Sequence, residues 1–224
     1  MKVKTKTAKL KALIKKYPLL VAIGYFCIYF PIFTLLEMYR QPQYYVHCWL
    51  DDLLPFCEYF VIPYFLWFAF VPGMLLFFIC YSRADYFKCC KVIFGGMSIC
   101  LLIYWLFPTG LMLREPVEES GFLASCVNAL RGVDTPTNVC PSIHVSSTVG
   151  ICMVLMRSKE LRRFRKLRVF SCILGVAICM ATVLLDQHSV IDVICGIILS
   201  SVLCGLVEEA QIDSEYSVRK EYLH

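Results

Sequence analysis

Six apolar runs of close to bilayer length decide what this chain can become. They lie near Tyr17–Glu37, Tyr59–Tyr81, Val92–Pro108, Ile143–Met156, Leu167–Leu185 and Ser189–Val207. A helix needs about 20 predominantly apolar residues to cross a hydrocarbon core. Barrel strands alternate apolar and polar residues, whereas these runs are continuous. The expectation is therefore an all-α fold, a polytopic bundle of six transmembrane helices. A soluble domain is excluded: 59% of the 224 residues are hydrophobic, and a fold of this size cannot hide that much apolar surface.

The charges orient the bundle. Nineteen of the 22 lysines and arginines fall before the first run, between the second and third, between the fourth and fifth, or after the sixth. Only Arg40, Arg114 and Arg131 fall in the alternate loops. The positive-inside rule then makes both termini cytosolic. The reading divides the chain into a basic interfacial segment (1–16), a six-helix membrane domain (17–207) and a cytosolic tail (208–224). The lysine-rich start lacks a small-residue cleavage site and its apolar run exceeds a signal-peptide core, so it is read as a retained first span. Leu10, Leu13, Ile14 and Tyr17 at helical spacing among lysines predict a short helix on the anionic inner leaflet. The basic stretch Arg157–Arg168 suits lipid headgroups rather than nucleic acid.

Between the spans the signals are weaker. Tyr39, Tyr44, Tyr45 and Trp49 read as interfacial anchors, and His47 as an ordinary surface histidine. Pro63 and Pro72-Gly73 predict a bend in the second span. Tyr81–Lys91 reads as a short inner loop. The long outer loop from Thr109 to about Ser142 contains Phe122, Leu123, Cys126, Val127 and Leu130, a stripe that predicts an interfacial helix. Arg114 has Glu115, Glu118 and Glu119 as nearby ion-pair partners. Most of the 14 cysteines sit inside spans, where a thiol behaves as a small hydrophobe; Cys48, Cys57, Cys126 and Cys140 are the disulfide candidates.

Chemistry concentrates at two places. Cys140-Pro141-Ser142-Ile143-His144 stands where a polar loop becomes an apolar helix, and Asp186-Gln187-His188-Ser189-Val190-Ile191-Asp192 opens the last run. Ionisable groups at membrane depth point to function. Helix N-termini present free N–H groups and a positive dipole end, which favour phosphate; Ser142 as N-cap adds a hydroxyl. Asp192 follows His188 by four positions, so both project from one helical face. A carboxylate on one imidazole nitrogen fixes the tautomer and makes the other a better nucleophile. His144, across the bundle, is then placed to act as general acid on the departing oxygen. The two imidazoles are expected within a phosphate's width of each other at the non-cytosolic boundary. Metal binding by the two histidines finds no third ligand at clear spacing.

These residues resemble the type 2 phosphatidic acid phosphatase superfamily of membrane lipid phosphatases and phosphotransferases. Pro141-Ser142-Ile143-His144 matches its Pro-Ser-x-His motif. His188 and Asp192 match the end of its His-x-x-x-Asp motif. Arg114 matches the arginine of its first motif, with Glu115 where proline is usual. The resemblance runs from roughly Trp105 to Gly205. It implies that His188 attacks phosphorus to form a phosphohistidine, Asp192 orients it, His144 protonates the leaving group, and Arg114 and Ser142 hold the phosphoryl oxygens. It implies no metal and no other cofactor. Two of the family's cations are replaced here, by Phe107 and by Thr182 after Ala181. A phosphomonoester dianion is then captured less well than a phosphodiester monoanion. That tilts the expectation toward headgroup transfer, as in the sphingomyelin and inositol-phosphoryl-ceramide synthase branches, unless helix N-termini and Arg131 replace the missing charge. Asp134 and Asn138 are candidates to shape the site or its turn.

The functional expectation is a membrane lipid phosphatase or phosphotransferase. Its substrate is a phospholipid or isoprenoid phosphate, taken from the bilayer at the non-cytosolic face of a cell membrane. A reading of another class is a non-catalytic lipid transporter or scaffold with a degenerate site.

Overall fold

A computed structural model describes residues 13, 14, 16–114, 117 and 121–221, those at 211 and 213–221 by backbone alone. The helices, in chain order, are α1 (Leu19–Tyr39), α2 (Val61–Tyr81), α3 (Arg83–Leu106), α4 (Phe122–Val133), α5 (Ile143–Arg157), α6 (Arg165–Leu184) and α7 (Val190–Glu221). Two strands of two residues, β1 (Tyr44–Tyr45) and β2 (Thr109–Gly110), pair in parallel. The all-α expectation holds. Among the described residues five helices are long and apolar enough to cross a membrane: α1, α2 with its lead-in turn from Glu58, α3, α6, and α7 as far as Ala210.

The fourth expected span is the exception. Ser142 caps α5, its Oγ accepting the Val145 N–H at 3.4 Å, and the chain leaves the helix in extended form at Ser158. The fifteen residues between make about 22 Å of helix, short of a hydrocarbon core of about 30 Å. α5 is instead the buried axle of the bundle, packed against α2, α3, α6 and α7. Small residues permit this. A side chain at Gly150 would meet Val92 of α3 at 2.9 Å, one at Gly175 of α6 would meet Cys152 at 2.9 Å, and one at Gly196 of α7 would meet the Ser142 carbonyl oxygen at 3.0 Å. Close backbone approach through small residues is how apolar helices associate when hydrophobic burial offers no net drive.

One further expectation changes. The loop read at Tyr81–Lys91 is helical except for Ser82. Ser82 accepts the Asp85 N–H at 3.3 Å and starts α3 nine residues before Val92; Ser-x-x-Asp is a helix-start signal, and its basic residues project from the first turns. α7 continues through the expected tail to Glu221. Of the Leu10–Tyr17 segment, Leu10 lies outside the described residues, whereas Leu13, Ile14 and Lys16 are helical.

The two ends of the bundle differ in chemistry. At one, Tyr86 donates to the Pro18 carbonyl (2.8 Å), Ser158 to Asp85 (2.5 Å) and Arg157 to Glu208 (2.8 Å). The start of α1, the α2–α3 link, the α5–α6 turn and α7 near Glu208 thus meet there. At the other end, Asn138 N–H bonds to the Thr109 carbonyl, Thr137 bridges Gly110, and Ser142 N–H bonds to the Asp192 carbonyl at 3.2 Å. Both histidine stretches lie at this second end. α4 packs there, with Val127 and Leu130 against Val61, Tyr64, Ala181 and Leu185. Phe122, expected in the apolar stripe, points away at 81% exposure; Ala124 takes the buried position.

Candidate functional site

The turn that carries His188 is built from backbone. The N–H groups of Gln187 and His188 both donate to the Thr182 carbonyl, at 3.0 and 2.9 Å, which folds the chain back after α6. Asp186 takes a positive φ of 55°, a conformation Asp tolerates better than most residues. α7 then starts at Val190 under a cap from a distant segment. Asp51 accepts the Ser189 hydroxyl at 2.7 Å and the Val190 N–H at 2.8 Å. A carboxylate at a helix N-terminus complements the positive dipole end.

The two imidazoles lie together. Their ring centroids are 5.8 Å apart at 59°. His188 precedes its helix, and its Nδ1 is 3.3 Å from Asp192 Oδ2, which also accepts the Ser189 N–H at 2.9 Å. Asp192 is fully buried and His188 nearly so. The second carboxylate oxygen of Asp192 and Nε2 of His144 are buried without a protein hydrogen-bond partner. With Nδ1 of His188 on the carboxylate, Nε2 carries the free lone pair.

His144 stands in an aromatic frame. The rings of Tyr64 and Trp67, three residues apart on α2, have centroids 4.6 and 4.2 Å from its own. Trp67 donates to Ser147 at 3.0 Å, which fixes the indole against α5. The Tyr64 hydroxyl lies 3.4 Å from His144 Nδ1 and donates a short hydrogen bond to Asp134. A carboxylate thus addresses each imidazole, Asp192 directly and Asp134 through a phenol.

Arg114 sits beside this cluster with its donors engaged. Nε bonds to the Asp186 carbonyl (3.2 Å), one terminal nitrogen to the Asp134 carbonyl (2.6 Å), and the other to Thr135 (3.4 Å) and to Gln187 Oε1 (2.6 Å). It clamps the approach to Pro141 onto the turn that carries His188. Burial lowers its pKa from the ordinary arginine value. Glu115, Glu118 and Glu119 lie outside the described residues. Arg131 pairs with Asp186 at 3.4 Å, two positions before His188. Phe107 is exposed beside Tyr44, and Thr182 turns its hydroxyl to the Cys179 carbonyl. Asn138 is buried at a positive φ of 57°. Cys48, Cys57, Cys126 and Cys140 are free thiols. His47 forms a surface pair with Asp52 at 2.8 Å.

Asp51, Tyr64, Trp67 and Gln187 were not singled out from the sequence. Trp67 had a usable signal: it is the tryptophan inside an apolar run, away from either interface, with Tyr64 one turn before it on the same face. Among the described residues no three histidine, cysteine or acidic side chains are arranged to hold a metal ion. Scanning against protein-family models and searching curated proteins and solved structures finds no match to this chain.

Proposed function

We propose that this is a membrane lipid phosphatase or phosphotransferase working through a phosphohistidine, as its resemblance to the type 2 phosphatidic acid phosphatase superfamily implies. The observation that carries the reading is the His144–His188 separation of 5.8 Å with Asp192 on the far nitrogen of His188. In the first half-reaction Nε2 of His188 attacks phosphorus, the N–P bond forms, and the bond to the leaving oxygen breaks. His144 gives that oxygen its proton. In the second, water or an alcohol loses a proton to His144 and attacks phosphorus, and the N–P bond breaks. Asp192 stabilises the cationic imidazole ring of the intermediate, and Asp134 acts on His144 through Tyr64. The α5 N-terminus and Ser142 receive phosphoryl oxygens, and Arg114 supplies positive charge next to them. The five apolar span-length helices supply the membrane setting in which a lipid reaches this site. The basic end of the bundle faces the cytosol, and the site opens on the opposite side.

One observation favours headgroup transfer over monoester hydrolysis. Neither Phe107 nor Thr182 supplies a cation, and Arg114 is committed to carbonyl oxygens and Gln187. A singly charged phosphodiester needs less compensation than a phosphomonoester dianion. The test is phosphate release from phosphatidic acid or an isoprenyl diphosphate in detergent with chelator present, alongside transfer of a labelled headgroup between lipids. Full activity in His188→Ala removes the proposed nucleophile. No release, no transfer, and lipid movement insensitive to His144→Ala together replace the enzyme with a transporter or scaffold.

A further inference from the structure

Helix α1 packs on α3 and barely touches α2. The gap is an apolar groove of about 810 Å³, walled by Phe26 and Phe30 of α1 and by Trp67, Phe68, Val71 and Leu75 of α2. Among the described residues no charged side chain lines it. One end of this groove is the frame of the site itself. Trp67 and Phe68 line the groove and also meet the His144 ring, with centroids 4.2 and 6.3 Å away. From there it runs along α2 toward Leu76 and along α1 toward Leu19, at the end of the bundle away from the histidines. The α1 wall, Leu19 to Pro31, is about 18 Å of helix at 1.5 Å per residue. That is close to half of a hydrocarbon core of about 30 Å, the reach of one lipid chain.

We propose that the α1–α2 groove holds the hydrocarbon chain of the lipid whose phosphate the histidine pair handles. This rests on the function proposed above and adds the substrate's tail to it. An occupant without charge or hydrogen-bonding groups matches the lining, and continuity with the Trp67–His144 contact ties the occupant to the site. Bilayer lipid is as apolar as the groove, so burial alone gives a chain no reason to enter. What the groove adds is placement: a chain seated against these rings fixes where its phosphate stops. An error of about 1 Å at the reacting centre can cost on the order of 100-fold. The groove is therefore a ruler for chain length more than a source of affinity.

The experiment compares octyl phosphate with hexadecyl phosphate on the full chain in detergent with chelator present. Val71→Trp obstructs the groove one turn from Trp67, and Ala22→Trp obstructs it near the far end. The ratio of hexadecyl to octyl turnover should fall about tenfold or more in Ala22→Trp, where only the long chain reaches, and less in Val71→Trp, which stands in the path of both chains. Val176→Trp, on an α6 position 61% exposed, should keep the wild-type ratio. The octyl rate reports folding, since a misfolded variant loses both. An unchanged ratio in Ala22→Trp, with octyl turnover retained, overturns the groove. A hexadecyl phosphate carrying a mid-chain diazirine gives a readout that needs no turnover: photolabelling should fall on α1 and α2, and labelling confined to other helices overturns the proposal. Labelling of α1 and α2 without phosphate release or transfer would sink the enzymatic reading and leave the chain site standing.

Discussion

Asp51 and Ser189 are 138 positions apart, yet the carboxylate of the first accepts the hydroxyl of the second at 2.7 Å. The same carboxylate takes the N–H groups of Val190 and Cys48, both at 2.8 Å. It therefore starts α7 and pins the residue after His188. Burial raises the pKa of Asp51, but the hydrogen bonds from Val190, Ser189 and Cys48 outweigh it and hold the carboxyl below the ordinary aspartate range. A folded-state value below the unfolded one stabilises the protein above the unfolded pKa, about 3.9, and the gain is lost as pH falls through the folded value. Asp51→Asn removes the charge and turns one accepting oxygen into a donor, and should cost about 1.5–3 kcal/mol near neutral pH, the usual worth of a hydrogen bond to a charged group. The gap in melting temperature from wild type, followed in detergent, should close below about pH 4. A gap that stays constant into acid would mean the charge of Asp51 does not matter.

This cap also shows where sequence reading stops. Ser142, His144, His188 and Asp192 were legible because their signals are local: a capping serine, and ionisable residues where apolar runs begin. Asp51 and Tyr64 were not, because each acts on a partner at least 70 positions away. The start of α3 was misplaced because Arg83, Lys88 and Lys91 read as a loop, although a basic first turn can project beyond an apolar core. The length of α5 was legible, its place at the centre of the bundle was not. Arg114 was picked for its charge, yet its contacts are mainly to backbone carbonyls, whose positions only the tertiary fold defines.

Gly196 sets the distance between the two histidine-bearing elements. A Cβ there would lie 3.0 Å from the Ser142 carbonyl oxygen and 3.1 Å from Val145 Cβ. Neither neighbour is the loose end of a side chain. Gly196→Ala should therefore destabilise by about 1–3 kcal/mol, as overpacking does, and lower turnover by moving the α5 cap relative to Asp192. Gly24→Ala is the matched control, since a Cβ there meets nothing within 4 Å. Thermal unfolding and phosphate release should rank wild type and Gly24→Ala together, with Gly196→Ala well below. Equal behaviour of the two alanine variants would remove the close-approach argument.

The two histidines should separate by leaving group. A general acid matters most when the departing oxygen is a poor leaving group. His144→Ala should lose about 10²- to 10⁴-fold on an alkyl phosphate and much less on the burst of p-nitrophenol from p-nitrophenyl phosphate. His188→Ala should lose both, because no N–P bond can form. Asp192→Asn should resemble His188→Ala in pattern, since the amide no longer stabilises the phosphorylated ring. Rapid-quench labelling should recover acid-labile phosphate on His188 in wild type. Identical leaving-group dependence in the His144 and His188 variants would refute the division of roles.

Tyr64 should carry the signature of His144. Its hydroxyl joins Asp134 to His144 Nδ1, and the side chain is fully buried, so Tyr64→Phe removes the link while keeping the ring. The loss on an alkyl phosphate should be about tenfold, the rate equivalent of one hydrogen bond near 1.4 kcal/mol. On p-nitrophenyl phosphate it should be small. Asp134→Asn should show the same selectivity. If Tyr64 served only to pack α2 against α5, the phenylalanine variant would keep full activity, and a larger disruption such as Tyr64→Ala would depress both substrates alike. A Tyr64→Phe loss that ignores the leaving group would therefore break the proposed connection between Asp134 and the acid that His144 supplies.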